Sequence, residues 1–521
     1  MPLIERVVLQ NFKRFAKRLE LHLSPDLNVL IGDNEAGKST VLLGIELVLA
    51  ASRSRIEHIG MDTLLPVETV EAFLNGSRCF GDLPEVRVEL FLSPGPNPDY
   101  NGKGNSELRE CDGLKMVCAV PEEHSRAVSE ILKDANAPFP YEYYFCHFST
   151  FADHPYFGSK KHIRHLLLDS SRIDSEHAAR EYTRALFAAN SSATERFRLQ
   201  SAYRQAKLEF VDQHLKDTNQ RTDGFSFGVR TSSRANLETD LSIHESSLPL
   251  ELRGKGRQCQ IKTEFALKRG SGDGLDVLLL EEPENHLSHT STRKLIDQLS
   301  PPGGPQIVLT THSSLITSRL DLRKAQLISA SSKRVTTLRD VDAGTAAFFM
   351  KAPDNHVLEF ALSTRVILVE GDAEFILMEM MYAQVSGSTL AADRVHVISV
   401  GGTSFKRYLH LAQRLNVRTA VIRDNDGDHV ANCVDNYAAF DAEHVAVFGD
   451  RDRARKTFEI ALYQDNTALC EELFASDRRR LSVQDYMLAN KTDAAFELLS
   501  RAGDRLKVPA YICEAISWIK C

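Results

Sequence analysis

The stretch GDNEAGKST, Gly32 to Thr40, sets two glycines, a lysine and two hydroxyl residues in the spacing G-x-x-x-x-G-K-S. Glycine lets backbone N–H groups approach phosphate oxygens at a helix N-terminus. The lysine reaches the β- and γ-phosphates, and the serine hydroxyl serves a magnesium ion. Asn34, Gly37, Lys38, Ser39 and Thr40 are the expected nucleotide contacts, with Ser39 also a metal ligand. A nucleotide site must in addition hold its Mg2+ and activate water. DVLLLEEPENHL supplies an acidic pair after an apolar strand: Glu281 suits the magnesium shell, and Glu282 suits the attacking water. PQIVLTTHSS is a further apolar strand with a polar end, from which His312 can touch the γ-phosphate.

A second set of acids lies downstream. Val366 to Val369 deliver Glu370 to a strand end, and in a helix starting near Asp372 the first-turn Glu374 points back at the same place. AVIRDNDGD presents Asp424, Asp426 and Asp428 after another apolar run. With 71 acidic residues in the chain such triplets are common, so position carries the reading. Carboxylates at the C-terminal ends of neighbouring parallel strands converge where such sheets bind ligands, and oxygen-only donors suit Mg2+ or Mn2+. Two such ions about 4 Å apart would stabilise both the attacking and the leaving oxygen of a phosphodiester.

These residues need elements to hold them. The first fifty residues read as strand (IERVVLQNF), turn, strand (LNVLIG), loop, and a helix from Lys38 onward. From about Ser159 to Asn219 the text becomes long, polar and helical, with no β-rich run, and reads as an inserted arm. Strand-like text returns at FSFGVR and runs to QIVLTTHSS. From RVILVEGDAEFILMEMMYA onward, strands (VHVISVGG, RTAVI, HVAVF) alternate with helices such as SFKRYLHLAQRL, which implies a parallel sheet. A chain of 521 residues is too long for one core. Its 43% hydrophobic and 26% charged residues are ordinary for a globular protein. The net charge of −8 argues against nucleic acid over the whole surface but permits a local basic patch. Nine cysteines without a C-x-x-C pair speak against a zinc site or a disulfide framework, and for a reducing, cytoplasmic setting. The N-terminus has no signal-peptide core, and no apolar run nears the ~20 residues of a membrane helix, so no membrane partner is expected.

LQNFKRF, the phosphate loop, LLLEEPE and TTHS together resemble the ATP-binding-cassette (ABC) ATPases of the SMC and RecF-like group. That resemblance implies a signature helix closing on a partner's ATP, for which Glu251 to Leu267 is the candidate. Gly254, Gly256 and Gln258 stand there in place of the usual serine-glycine-glycine-glutamine text. No Q-loop glutamine follows the first helix and the loop after Glu284 lacks the family's aspartate, so slow ATP turnover is expected. Glu370 and Asp424 to Asp428 resemble the Toprim domain of topoisomerases, primases and some nucleases. An ABC-type ATPase followed by Toprim resembles the overcoming-lysogenization-defect (OLD) nucleases, related to the Gabija nuclease. The resemblance implies that Glu459 in RKTFEIAL is a metal ligand and that Lys507 in LKVPAYICEAI sits near the scissile phosphate. Arg423 replaces a small hydroxyl residue more usual before the aspartates, and suits a direct phosphate contact.

The reading is therefore an α/β chain: an ABC ATPase (1–158 and 223–355) interrupted by a helical dimerisation arm (159–222), then a Rossmann-like Toprim domain (356–521). The expected activity is ATP-regulated, Mg2+- or Mn2+-dependent DNA cleavage by a homodimer, with any partner protein unknown. RDRARK, Arg451 to Lys456, is available to neutralise DNA phosphates. An ATP-driven DNA clamp with a degenerate Toprim domain is the alternative. A topoisomerase would need a further DNA-cleaving domain with its own tyrosine.

Overall fold

The computed structural model describes residues 2–158, 163–169, 183–184, 187, 191–222, 225–230, 236–268, 275–285, 287–299, 304–329, 335–351, 356–402, 404–474 and 481–521. Contacts group the chain into two units, Met1–Thr311 and His312–Cys521.

In the first unit, strands β3 (Leu27–Ile31), β8 (His165–Asp169), β11 (Val277–Glu281) and β12 (Gln306–Thr311) pair in parallel in the order β3-β12-β11-β8. β3 and β12 are buried at every residue, as expected of a parallel sheet covered on both faces. A second sheet is antiparallel, ordered β2 (Leu19–His22), β1 (Ile4–Gln10), β4 (Val86–Leu92), β6 (Cys111–Ala119) and β5 (Asn101–Gly102), with β7 (Phe145–Thr150) also pairing β6. The helix Lys38–Ala50 contacts strands of both sheets, which is why its sequence is apolar all round rather than striped. Buried Gln306 ties the sheets at one end. Its amide receives the Ile4 N–H at 2.9 Å and donates to the carbonyls of Ile4 and Ser24, both at 2.8 Å. A short hairpin, β9 (His244–Glu245) with β10 (Leu248–Pro249), precedes the helix Lys255–Lys268.

The second unit holds a hairpin of β13 (Ala325–Ile328) and β14 (Val335–Thr337), and a parallel sheet ordered β16 (Val395–Ser399), β15 (Arg365–Val369), β17 (Arg418–Ile422), β18 (Val445–Phe448). Alternate strand residues Ile367, Val369, Ala420 and Ile422 enter one core with Leu377, Met381, Ile512 and Ile516 from covering helices. The helix Phe405–Leu415 also contacts β17.

Two expectations are corrected. Residues 165–169 lie within the expected helical arm, yet HLLLD is a strand in register with β11 from Val277↔His165 to Glu281↔Asp169. Three successive leucines gain more from lining a sheet edge than from a polar helix. The arm's helix Ala193–His214 is present, whereas much of 159–190 lies outside the described residues. The two contact units divide at Thr311/His312, inside the expected ATPase part, which was bounded at 355. The reason is local packing: Phe349 and Phe360 meet the Tyr408 ring edge-on at 5.1 and 5.4 Å, and Arg407 donates to Thr345 Oγ1 at 3.1 Å. Finally, Cys118 and Cys146 form a disulfide between directly opposed positions of β6 and β7, although no disulfide was expected. Among the described residues, no helix is long and apolar enough to cross a membrane.

Candidate functional site

The phosphate loop follows β3 and enters the helix Lys38–Ala50 at Gly37, whose φ of 103° lies in the left-handed region. A Cβ there would also collide with the Phe15 ring, so glycine is required twice over. Phe15 is buried in a tight turn in which Phe12 and Phe15 exchange backbone hydrogen bonds at 2.9 Å. The turn props the loop from beneath and carries Lys13 and Arg14 into the rim of a cavity of about 540 Å3. That cavity is lined by Asn34, Gly37, Lys38, Ser39, Thr40 and Glu282 among others. The buried Lys38 ammonium donates to the carbonyls of Gly32 at 2.6 Å and Asp33 at 3.1 Å. Burial pulls its pKa down, while Glu282, Asp33, Glu284 and Glu281 oppose that pull. A γ-phosphate would exchange two carbonyl partners for an anion.

Glu281 ends β11 and Glu282 follows at φ 43°, its backbone N–H held by the Thr310 carbonyl at 3.0 Å. Asn285 donates to Glu282 Oε2 at 3.0 Å, and Thr311 Oγ1 donates to Glu284 Oε1 at 2.5 Å. Glu282 is thus held by the neighbouring β12 through its backbone and by its own turn through Asn285. Gly254 immediately precedes the helix Lys255–Lys268, where its carbonyl accepts the N–H of Arg257 at 2.9 Å; Gly256 lies in that helix's first turn. Neither glycine lines the cavity beside Lys38. His312 is exposed immediately after β12.

The second constellation gathers at the C-terminal ends of β15 and β17. Glu370 follows β15, and Glu374, 5% exposed, sits on the first turn of the helix Asp372–Ser386. Asp424 follows β17, and its Oδ1 accepts the N–H of Phe458 at 2.8 Å, which brings the start of the helix Phe458–Asp465, and with it the buried Glu459, to the same end of the sheet. Burial, then Glu374, Glu370 and Glu459, push Asp424 up to about 8. Burial is likewise the first cause for Glu374, pushed up to about 7, and for Glu370, where Asp426 adds to the rise and Arg423 opposes it. Asp424, Glu374 and Glu370, with Glu459 beside them, crowd negative charge at one end of the sheet. Glu370 Oε2 and Glu459 Oε2 are buried without a hydrogen-bond donor among the described residues. That donor chemistry fits a hard divalent cation. As the side chains stand, no group of three or more His, Cys, Asp and Glu that could hold a metal ion is found among the described residues. Asp426, at φ 49°, is the outermost of the set and pairs with the Arg423 guanidinium at 3.4 Å.

Family models match three segments. One described as "Overcoming lysogenization defect protein-like, TOPRIM domain" covers residues 362–426, an "AAA ATPase domain" covers 3–85, and one described as "AAA domain, putative AbiEii toxin, Type IV TA system" covers 260–318. These spans contain Glu370 to Asp426, the phosphate loop, and the acidic pair, respectively. The chain joins an AAA ATPase domain to a Toprim domain like that of overcoming-lysogenization-defect (OLD) proteins. No curated protein sequence matches it. Among solved structures, the C-terminal region of the Xanthomonas campestris pv. campestris OLD protein is 23% identical, covering 30% of this chain and 94% of that one at a TM-score of 0.24. The corresponding region of Burkholderia pseudomallei OLD is 22% identical over 30% and 98%, at 0.23. The SMC head domain from Thermotoga maritima is 12% identical over 62% and 94%, at 0.29. The first part carries an AAA ATPase domain, and the Toprim part is built on a parallel sheet.

The OLD-like Toprim loop has supports that its motifs did not announce. Asn425 donates to the carbonyls of Asp450 at 2.7 Å, Asp452 at 2.8 Å and Arg455 at 3.2 Å, while its own oxygen receives Gly427 N–H at 2.8 Å. The segment that leads to Glu459 is therefore fastened to the aspartate loop. Lys491 Nζ lies 3.0 Å from Glu459 Oε1, a pairing no local motif reveals. Buried Arg423 donates to the Tyr437 hydroxyl at 3.1 Å, and its Nε has no acceptor among the described residues. Within RDRARK, Arg455 is spent internally on Asp450 at 2.8 Å and Asp465 at 2.6 Å, so only the exposed Arg451, Arg453 and Lys456 remain to meet a polyanion. Lys507 is exposed, and its backbone is gripped from both sides by buried Asn466, at 2.7 Å through its N–H and 2.9 Å through its carbonyl.

Burying Glu374 among other acids burdens the metal-free fold. Above pH 7 its carboxylate is charged in both states and the folded chain carries the full penalty, so Glu374→Gln should raise the melting temperature in EDTA at pH 8. The rise should be about 2 to 4 °C per kcal/mol relieved in a unit of this size. The same variant should lose the wild type's stabilisation by Mn2+, and an unchanged or lowered metal-free Tm would contradict the crowding of charge described here.

Proposed function

We propose that this chain is an ATP-binding, divalent-metal-dependent DNA endonuclease whose Toprim centre hydrolyses phosphodiester bonds while ATP binding or hydrolysis governs a homodimer. The observation that carries the reading is the group of Glu370, Glu374, Asp424 and Glu459, the second and fourth of them buried and the other two half-buried, with two carboxylate oxygens lacking donors among the described residues. Bound Mg2+ or Mn2+ would supply a polarised water and neutralise the phosphate. Glu370, Glu374, Asp424 and Glu459, with Asp426 at the rim, would hold these ions. Arg423 would meet a nonbridging phosphate oxygen, and Lys507 would protonate the leaving oxygen or offset its charge. Arg451, Arg453 and Lys456 would contact flanking phosphates.

In the ATPase part, Gly37, Lys38, Ser39 and Thr40 bind the triphosphate, with Ser39 and Glu281 around its Mg2+ and Glu282, backed by His312, directing water. Gly254 and Gly256 serve the partner's nucleotide, and the helical arm supports dimerisation. A role in phage defence or DNA repair, in the cytoplasm, fits a nuclease under nucleotide control. Purified protein on supercoiled DNA with Mg2+, Mn2+ or EDTA, each with and without ATP, tests the proposal. Metal-dependent nicking or linearisation is the expected result, and DNA retention without cleavage under every metal would favour an ATP-driven clamp.

Lys38→Ala should weaken ATP binding by about 10- to 100-fold, the value of a charge-assisted contact, as read with a fluorescent ATP analogue. Glu282→Gln should retain ATP and slow hydrolysis by about 10² or more, the loss of a general base. Normal turnover by Glu282→Gln would move that role to His312.

A further inference from the structure

We propose that Lys491 is a built-in competing cation of the Toprim centre: its ammonium holds Glu459 in the absence of a divalent ion and must yield that carboxylate for the ion to bind. Lys491 thereby sets the metal concentration at which the centre fills. The inference rests on the metal-dependent reading above.

Glu459 is 4% exposed, one oxygen lies 3.0 Å from Lys491 Nζ, and the other has no donor among the described residues. An ammonium can offer this carboxylate charge but cannot satisfy both oxygens and the neighbouring acids at once. Its field also reaches Asp424 and Glu374. The lysine is the first residue of the helix Lys491–Arg501. A cation at that end opposes the helix dipole, so helix stability does not explain it. Ala494, Ala495 and Leu498 bury the helix in the same core as Leu377 and Met381 of the helix that carries Glu374, which fixes where the lysine stem starts. Its side chain is half exposed, and a flexible four-carbon stem can swing the ammonium into water once a stronger cation takes its place. Arg455 has no such freedom, being held by Asp450 and Asp465 together.

The test is Mn2+ titration of the nucleotide-free full-length chain by calorimetry, with Asp424→Ala defining which heat belongs to the Toprim centre. Lys491→Gln should bind Mn2+ about tenfold more tightly than wild type, since a neighbouring charge shifts a carboxylate's affinity for a cation by about one log unit or more. It should also melt at a lower temperature in EDTA, because Glu459 is left buried and unpaired. Lys491→Arg, which restores the charge, should return both values toward wild type. Should Lys491→Gln fold poorly by circular dichroism, Lys491→Met keeps the apolar stem and carries the same expectation. Unchanged Mn2+ affinity and unchanged metal-free melting in the neutral variants would overturn the role of Lys491 while leaving the metal centre standing. Absence of any Asp424-dependent Mn2+ binding in the wild type would overturn both.

Discussion

Asp424→Ala is expected to abolish DNA cleavage, by about 10³ or more, while ATP binding is unchanged. The magnitude follows from the charge a divalent ion stabilises in phosphoryl transfer, several kcal/mol that vanish with its ligand. Asp424 has the heaviest double duty of the cluster. Its carboxylate is crowded by the like charges of Glu374, Glu370 and Glu459, and its Oδ1 caps the N–H of Phe458 at 2.8 Å. Alanine therefore removes a ligand and also releases the start of the helix that bears Glu459. Glu370→Ala removes a ligand alone and should be equally dead in cleavage but less disturbed in melting. The phosphate loop sits on a different sheet, in a different unit, so nucleotide affinity is the internal control. The measurement is single-turnover cleavage of a supercoiled plasmid at saturating Mg2+, paired with ATP-analogue binding. Wild-type cleavage in either variant would remove the Toprim centre from the chemistry.

What made both centres readable was local order. The phosphate loop needs only consecutive residues, because its glycines, lysine and serine act through their own backbone and the helix they begin. Glu370 and Asp424 were readable for a related reason: RVILV and RTAVI are apolar strands of one strand-helix series, so their C-terminal ends share one edge of a parallel sheet, in which the two strands pair directly. Features fixed by distant partners were not readable. HLLLD is flanked by polar helical text and becomes a strand only because β11 offers it an edge. Cys118 and Cys146 meet because β6 and β7 pair in one register, and neither strand was assigned from the sequence. Lys491 looks like any lysine opening a polar helix until the fold sets it against Glu459. The basic run RDRARK shows the opposite error, since charge density cannot reveal that Arg455 turns inward to Asp450 and Asp465.

Lys507→Met is expected to slow cleavage by about 10² to 10³, the loss of one contact made in the transition state, with dimerisation, DNA binding and metal affinity near wild type. The backbone argues that this residue is held for a purpose. Asn466 terminates the helix that begins with Phe458 and Glu459, is itself 6% exposed, and closes a two-bond clamp on the Lys507 N–H and carbonyl. A carboxamide buried to hold one backbone position leaves the side chain at that position free to extend, and Lys507 is exposed. Its ammonium has more to gain as the phosphorane forms than in the ground state, because the reacting phosphate gathers negative charge on the way up the barrier. Methionine keeps the stem and deletes only that charge, so the defect should fall on the cleavage step at saturating DNA and metal rather than on binding. Asn466→Ala should produce a milder loss of the same kind, since the ammonium survives but its origin is no longer fixed to the helix of Glu459. Rescue of Lys507→Met by raised Mg2+ would recast the residue as an aid to metal binding. An unaltered single-turnover rate would leave the clamp without a catalytic purpose and make Lys507 a surface residue.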